Sequence, residues 1–163
     1  MAKLNQVSAL VLSVVTMVAG AQAVRTEKNM SLDLANQIAA ATVAACTTNG
    51  YAVTAAVVDR AGTVRALQRA DNVGPHTVAE AQQKAFPSAS AKNTTLAMME
   101  GAQKTPAAAN LVYIPGFLLV GGGVPVKVGN EVIGAVGVGG APGGQLDEQC
   151  AMAGIDKVKE LLK

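Results

Sequence analysis

A tract of glycine threaded through β-branched residues limits what this chain can fold into more than any other feature. Eleven of its 17 glycines lie between Gly116 and Gly144, interleaved with Val, Ile and Leu. Residues 117–120, 124–128 and 131–138 read as three strands, the last two joined by a Gly129-Asn130 turn. The β-branched content argues against a flexible linker. Glycine inside a strand marks a bulge, or a place where another backbone or a ligand comes close.

The first half supplies the partners of that sheet. Ser31 stands before Leu34, Ala35, Ile38, Ala39, Thr42, Val43 and Cys46, which recur at the spacing of one buried helical face. Asn49-Gly50 is a stop, so the spacing predicts a helix over 32–47. Residues 51–58 and 63–69 form a hairpin around Asp59-Arg60-Ala61-Gly62, its first strand free of charge until Asp59 and buried on both faces. Thr77-Val78-Ala79-Glu80 fits a capping box that opens a second helix running to Ala85, where Pro87 halts or bends it. Leu96, Met98 and Met99 line a short helix ended by Thr105-Pro106. Asp147-Glu148 opens a final helix with Ala151, Ile155, Val158 and Leu162 on one face, and with Lys157, Lys159 and Lys163 at its negative end. The order helix, two strands, helix pair, three strands, helix predicts an α+β domain with an antiparallel sheet covered by helices.

Residues 1–23 are read apart from the domain. Lys3 precedes the charge-free run 7–19, and Ala21-Gln22-Ala23 has the small-x-small pattern of a cleavage site. The run is shorter than the roughly 20 residues of a spanning helix. A signal peptide over 1–23 and a single domain over 24–163 follow, with a periplasmic or secreted location. Export permits a disulfide between Cys46 and Cys150, but two buried thiols on facing helices fit the sequence as well.

A formal net charge of +2 and a 15 % charged fraction exclude a nucleic-acid footprint, and the 50 % hydrophobic content excludes a disordered chain. With two Tyr, two Phe and no Trp there is no stacking platform for single strands. One His and no CxxC are too few ligands for structural zinc. GxGxxG, the Walker lysine loop, HExxH and GxSxG are absent. Gly121-Gly122-Gly123 is followed by Pro125 where a phosphate-binding helix would need free N–H groups.

His76 is the single histidine, set at a helix start after Gly74-Pro75. Two readings stand: an exposed imidazole that caps the helix or pairs with Glu80, or an axial ligand to haem iron on the wall of an apolar pocket. Met98, Met99, Tyr51 and Tyr113 are the other residues able to meet iron. Arg69 and Lys84 either form structural ion pairs at a strand–helix junction, with Asp59 and Asp71 in reach, or converge on carboxylates such as haem propionates.

Seven segments in order then resemble one family: Ala56-Val57-Val58-Asp59-Arg60-Ala61-Gly62, Arg69-Ala70-Asp71, Gly74-Pro75-His76-Thr77, Ala81-Gln82-Gln83-Lys84-Ala85, Gly121-Gly122-Gly123-Val124-Pro125-Val126, Gly134 to Gly140, and Asp147 to Gly154. They are similar to the GlcG/HbpS-like haem-binding family, which also supplies the C-terminal domain of PduO-type cobalamin adenosyltransferases. The resemblance implies a profilin-like three-layer α/β/α fold with a five-stranded antiparallel sheet, and homo-oligomers (tetramer or octamer). It implies an exported haem-binding protein that senses or sequesters haem, with a membrane sensor protein as partner. His76 would then be the metal ligand, Arg69 and Lys84 would lie near the propionates, and Gly122 and Gly123 would permit close approach. Phe86-Pro87-Ser88 departs from the family's usual aromatic-Thr-Ala continuation. The alternatives are a small-molecule enzyme using Lys84 and Asp59 as acid and base, and an oligomeric accessory protein without a cofactor.

Overall fold

The computed structural model describes residues 23–163, so the leader expected over 1–23 lies outside the described residues except for Ala23. α1 (Leu32–Thr48) starts where the Ser31 hydroxyl accepts the Leu34 N–H, and stops at Asn49, whose N–H returns to the Cys46 and Thr47 carbonyls. β1 (Thr54–Asp59) and β2 (Val64–Arg69) form the predicted hairpin, with Asp59 Oδ1 accepting the N–H groups of Ala61 and Thr63. α2 (Thr77–Ala91), α3 (Thr95–Lys104) and a 3₁₀ segment (Pro106–Tyr113) follow. β3 (Gly123–Val128), β4 (Glu131–Gly139) and α4 (Gly144–Lys157) complete the domain.

The strands pair antiparallel in the order β2-β1-β4-β3. α1 and α4 pack on one face and α2 on the other, which gives three layers. The sheet has four strands, not five. The expected strand at 117–120 fails because its polar backbone is satisfied by helices: the Leu118 N–H donates to Gln83 O on α2, and Thr95 Oγ1 on α3 donates to Val120 O at 2.7 Å.

Pro87 neither halts nor ends α2, which continues to Ala91. A proline at that position removes the N–H that would reach Gln83 O, four residues back. Gln83 O takes the Leu118 N–H instead, at 3.2 Å. The capping box at Thr77 does not form either. The helix starts one residue earlier than that motif requires, with His76 at the N-cap position, and the buried Thr77 hydroxyl donates to Gly74 O and lies 2.7 Å from Thr54 Oγ1.

The main core sits between the sheet and the α1/α4 layer, around Ile38, Val57, Val126, Val136 and Val138. A Cys46–Cys150 disulfide joins those two helices, with Cα atoms 5.2 Å apart, and closes the question that the sequence left open. The α2 side is thinner. Ala85 and Ala89 meet Val58 and Ala135, and a Cβ on Gly137 would lie 2.0 Å from Ala81 O. Small residues on both surfaces bring α2 down onto β4.

Candidate functional site

Lys84 is 0 % exposed and lies on the inward side of α2. Its Nζ sits 2.6 Å from Glu80 Oε1, 2.9 Å from Asp147 Oδ2 and 3.0 Å from Val138 O. An ammonium has three donors, and all three have acceptors here. Asp147, in the first turn of α4, uses Oδ1 to accept the Ala141 N–H. The bridge therefore links α2, β4 and α4 at one end of the sheet. Burial raises the Asp147 pKa, while the Lys84 charge and hydrogen bond oppose the rise and Glu80 adds to it. Burial also raises that of Glu148, against the Thr94 hydroxyl and the Leu96 and Gly122 N–H groups, with Glu100 adding to the rise. Those groups face the Glu148 carboxyl, yet its buried Oε2 has no well-formed hydrogen bond.

Gly122 and Gly123 are needed at this bridge. Gly122 has φ +125°, and a Cβ there would lie 2.7 Å from Val138 O, 2.8 Å from Asp147 Cβ and 3.2 Å from Lys84 Cδ. A Cβ on Gly123 would lie 2.2 Å from Lys84 O. Lys84, Asp147 and the Val138 carbonyl fill the space beside these glycines, where the sequence reading expects haem to come close.

His76 is exposed at the start of α2 and makes no capping hydrogen bond. Its ring folds back over Gly74, where a Cβ would come within 2.6 Å of Cε1 and 2.8 Å of Nδ1. Glu80 pairs with Lys84, not with His76. Arg69 is also exposed, and its guanidinium donates to Val73 O. It stands opposite Thr54 in the sheet, and Thr54 touches Thr77, so Arg69 and His76 share one end of the fold.

Asp59 lies at the other end. Thr54 pairs with Gly139 and Asp59 with Gly134, a separation of roughly 16 Å along the strand. Lys84 and Asp59 are therefore not brought together as an acid and a base, and Arg69 and Lys84 make no common ion pair. Met98 is buried and Tyr113 is 80 % exposed.

Two of the surface cavities among the described residues stand out. One, of 480 Å³, is lined by Thr47, Gly50, Tyr51, Ala52, Ala70 and Asp71. The other, of 530 Å³, is a groove along Ala40 and Ala44 of α1, Ala153 of α4 and Val158 at the C-cap of α4. His76, Arg69 and Lys84 line neither. Among the described residues no group of three or more His, Cys, Asp or Glu is placed to hold a metal ion, and no helix is long and apolar enough to cross a membrane.

Lys84, Gly122 and Gly123 were legible as special positions, whereas the partner they converge on, Asp147, read only as a helix-dipole acid. The i,i+4 spacing of Glu80 and Lys84 was an available signal. Nothing local links Lys84 to Asp147, 63 residues away.

The model of a family described as haem degrading protein HbpS-like matches residues 30–156. Protein GlcG of Escherichia coli is 35 % identical over 114 residues, which are 70 % of this chain and 84 % of GlcG. A double mutant of HbpS from Streptomyces reticuli has 34 % identity and a TM-score of 0.77, over 90 % of this chain and 98 % of that one. A PduOC–haem complex superposes with a TM-score of 0.69 at 20 % identity, over 78 % of this chain and 94 % of that one, a likeness of fold.

Proposed function

This chain belongs to the HbpS-like family, and from that premise we propose that it binds haem, with His76 as the axial ligand and Arg69 beside the propionates. The family match over residues 30–156 carries the reading. The residues at this end of the fold suit a haem held at the surface. His76 offers an exposed imidazole whose ring is seated against Gly74, and the exposed Arg69 guanidinium has donors left beyond the one given to Val73 O. Bound haem supplies a redox-active iron. Lys84, Gly122 and Gly123 act in this reading as the fixed frame behind α2.

The same reading includes export, through a leader over 1–23, to the periplasm or beyond. The Cys46–Cys150 disulfide supports it, because such bonds persist in oxidising compartments. It also includes a homo-oligomer, tetramer or octamer, supported by the exposed apolar run Val112, Tyr113 and Ile114. Haem sensing through a membrane sensor protein, or haem sequestration, is the role that fits such a protein.

The test is a hemin titration of residues 24–163 followed by absorbance. A saturable Soret band at one hemin per protomer is expected, lost in His76→Ala and weakened in Arg69→Ala. No spectral change at stoichiometric hemin overturns the proposal.

A further inference from the structure

The 480 Å³ cavity lies where α1 ends and β2 exits, on the α1 side of the sheet. Its volume is within the range of small-molecule sites. Its chemistry has one sign. Asp71 is the sole charged residue of the lining, and its carboxylate enters no ion pair among the described residues. The last turn of α1 holds no basic residue, so the negative end of the helix dipole is left without a side-chain counter-charge. The Thr47 hydroxyl donates back to Val43 O, which leaves its lone pairs as acceptors. Arg69, the nearest cation along the chain, is turned to Val73 O. Tyr51, half-buried against the core, forms an aromatic wall.

We infer that this cavity binds an organic ammonium, a primary or quaternary amine with a small apolar body. A carboxylate and an aromatic ring lining one cavity are the two groups that attract such a cation. A bare divalent ion needs more oxygen ligands than one carboxylate provides. An anion, including the dicarboxylate edge of a porphyrin, meets Asp71 and a negative helix end. Neither His76 nor Arg69, the residues proposed for haem, lines this cavity, and the inference does not depend on haem binding.

The probe is phenethylammonium, with phenylacetate as its anionic counterpart, titrated into the protein and followed by amide chemical shifts. The ammonium is expected to shift Tyr51, Ala52 and Ala70 saturably, and to bind at least about tenfold more tightly than phenylacetate. Asp71→Asn is expected to remove that preference, and Asp71→Lys to reverse it. Both variants change an exposed loop residue and should keep the fold, as read by circular dichroism, and the hemin Soret band. Equal binding of the two probes, no saturable shift with the ammonium, or a preference indifferent to Asp71→Asn overturns the inference. A Soret band altered by Asp71→Asn overturns the separateness of the two sites.

Discussion

Lys84 Nζ lies 2.9 Å from Asp147 Oδ2, and the two charges, both almost fully enclosed, tie the helix on one face of the sheet to the helix on the other. Lys84→Met leaves Asp147 and Glu80 facing each other without a cation. Breaking one side of such a pair costs about 3–5 kcal/mol, whereas replacing both sides with apolar groups costs far less. Urea unfolding should therefore show a large loss for Lys84→Met and a substantial recovery in Lys84→Met/Asp147→Leu. Equal losses in the two variants would show that the bridge has no such dependence.

Glu148 responds to pH in the opposite sense to an exposed, paired carboxylate. Its pKa is raised by burial, so its contribution to stability is present below the ordinary carboxylate range and is lost as pH rises through the folded value. At neutral pH the charged form is the unfavourable one. Glu148→Gln should stabilise the protein at pH 7, by up to about 1 kcal/mol given the partial solvation of the group. The gain should shrink as pH falls toward 4.5, the ordinary value for a glutamate. Thermal melts of both proteins across that interval check the trend.

Gly122 and Gly50 separate two costs of a side chain. Both have positive φ, +125° and +81°, but a Cβ at Gly50 meets nothing within 4 Å. Gly50→Ala should cost about 1 kcal/mol, the backbone strain alone. Gly122→Ala adds collision with Val138 O and Asp147 Cβ, and should cost more than about 3 kcal/mol.

The disulfide closes a loop with a sequence separation of 104. Cys46→Ala/Cys150→Ala should lower stability by roughly 3–5 kcal/mol, the range for a long closed loop. Reduction of the native protein should give a similar drop in the denaturant midpoint.

Gly74→Ala tests how His76 is held. The added methyl occupies the space now filled by the imidazole edge, so the ring must turn away. On the proposed function, hemin affinity should fall while unfolding stability changes by less than about 0.5 kcal/mol.

What could be read from the sequence was what is decided locally. Ser31 as the start of α1, the Asp59 to Gly62 turn and the Gly129-Asn130 turn each follow from the side chains present, and each is found. The misreadings have a common physical origin. Residues 117–120 have strand composition, Pro87 has a breaker's chemistry and Thr77 has a capping hydroxyl. Each is overruled by a polar group elsewhere in the chain, on Gln83, Leu118, Thr95 or Thr54. The candidate site divides the same way: Gly122, Gly123 and Lys84 stood out, and the carboxylate that gives them a purpose came from another layer.

The bare surface of β4 beneath α2 has a last consequence. With Gly137 nearly touching the Ala81 carbonyl and Gly139 crowded by Glu80, no slot remains there for a flat disc to slide into. A haem that meets His76 would therefore lie on the outer surface at the start of α2, and not between that helix and the sheet.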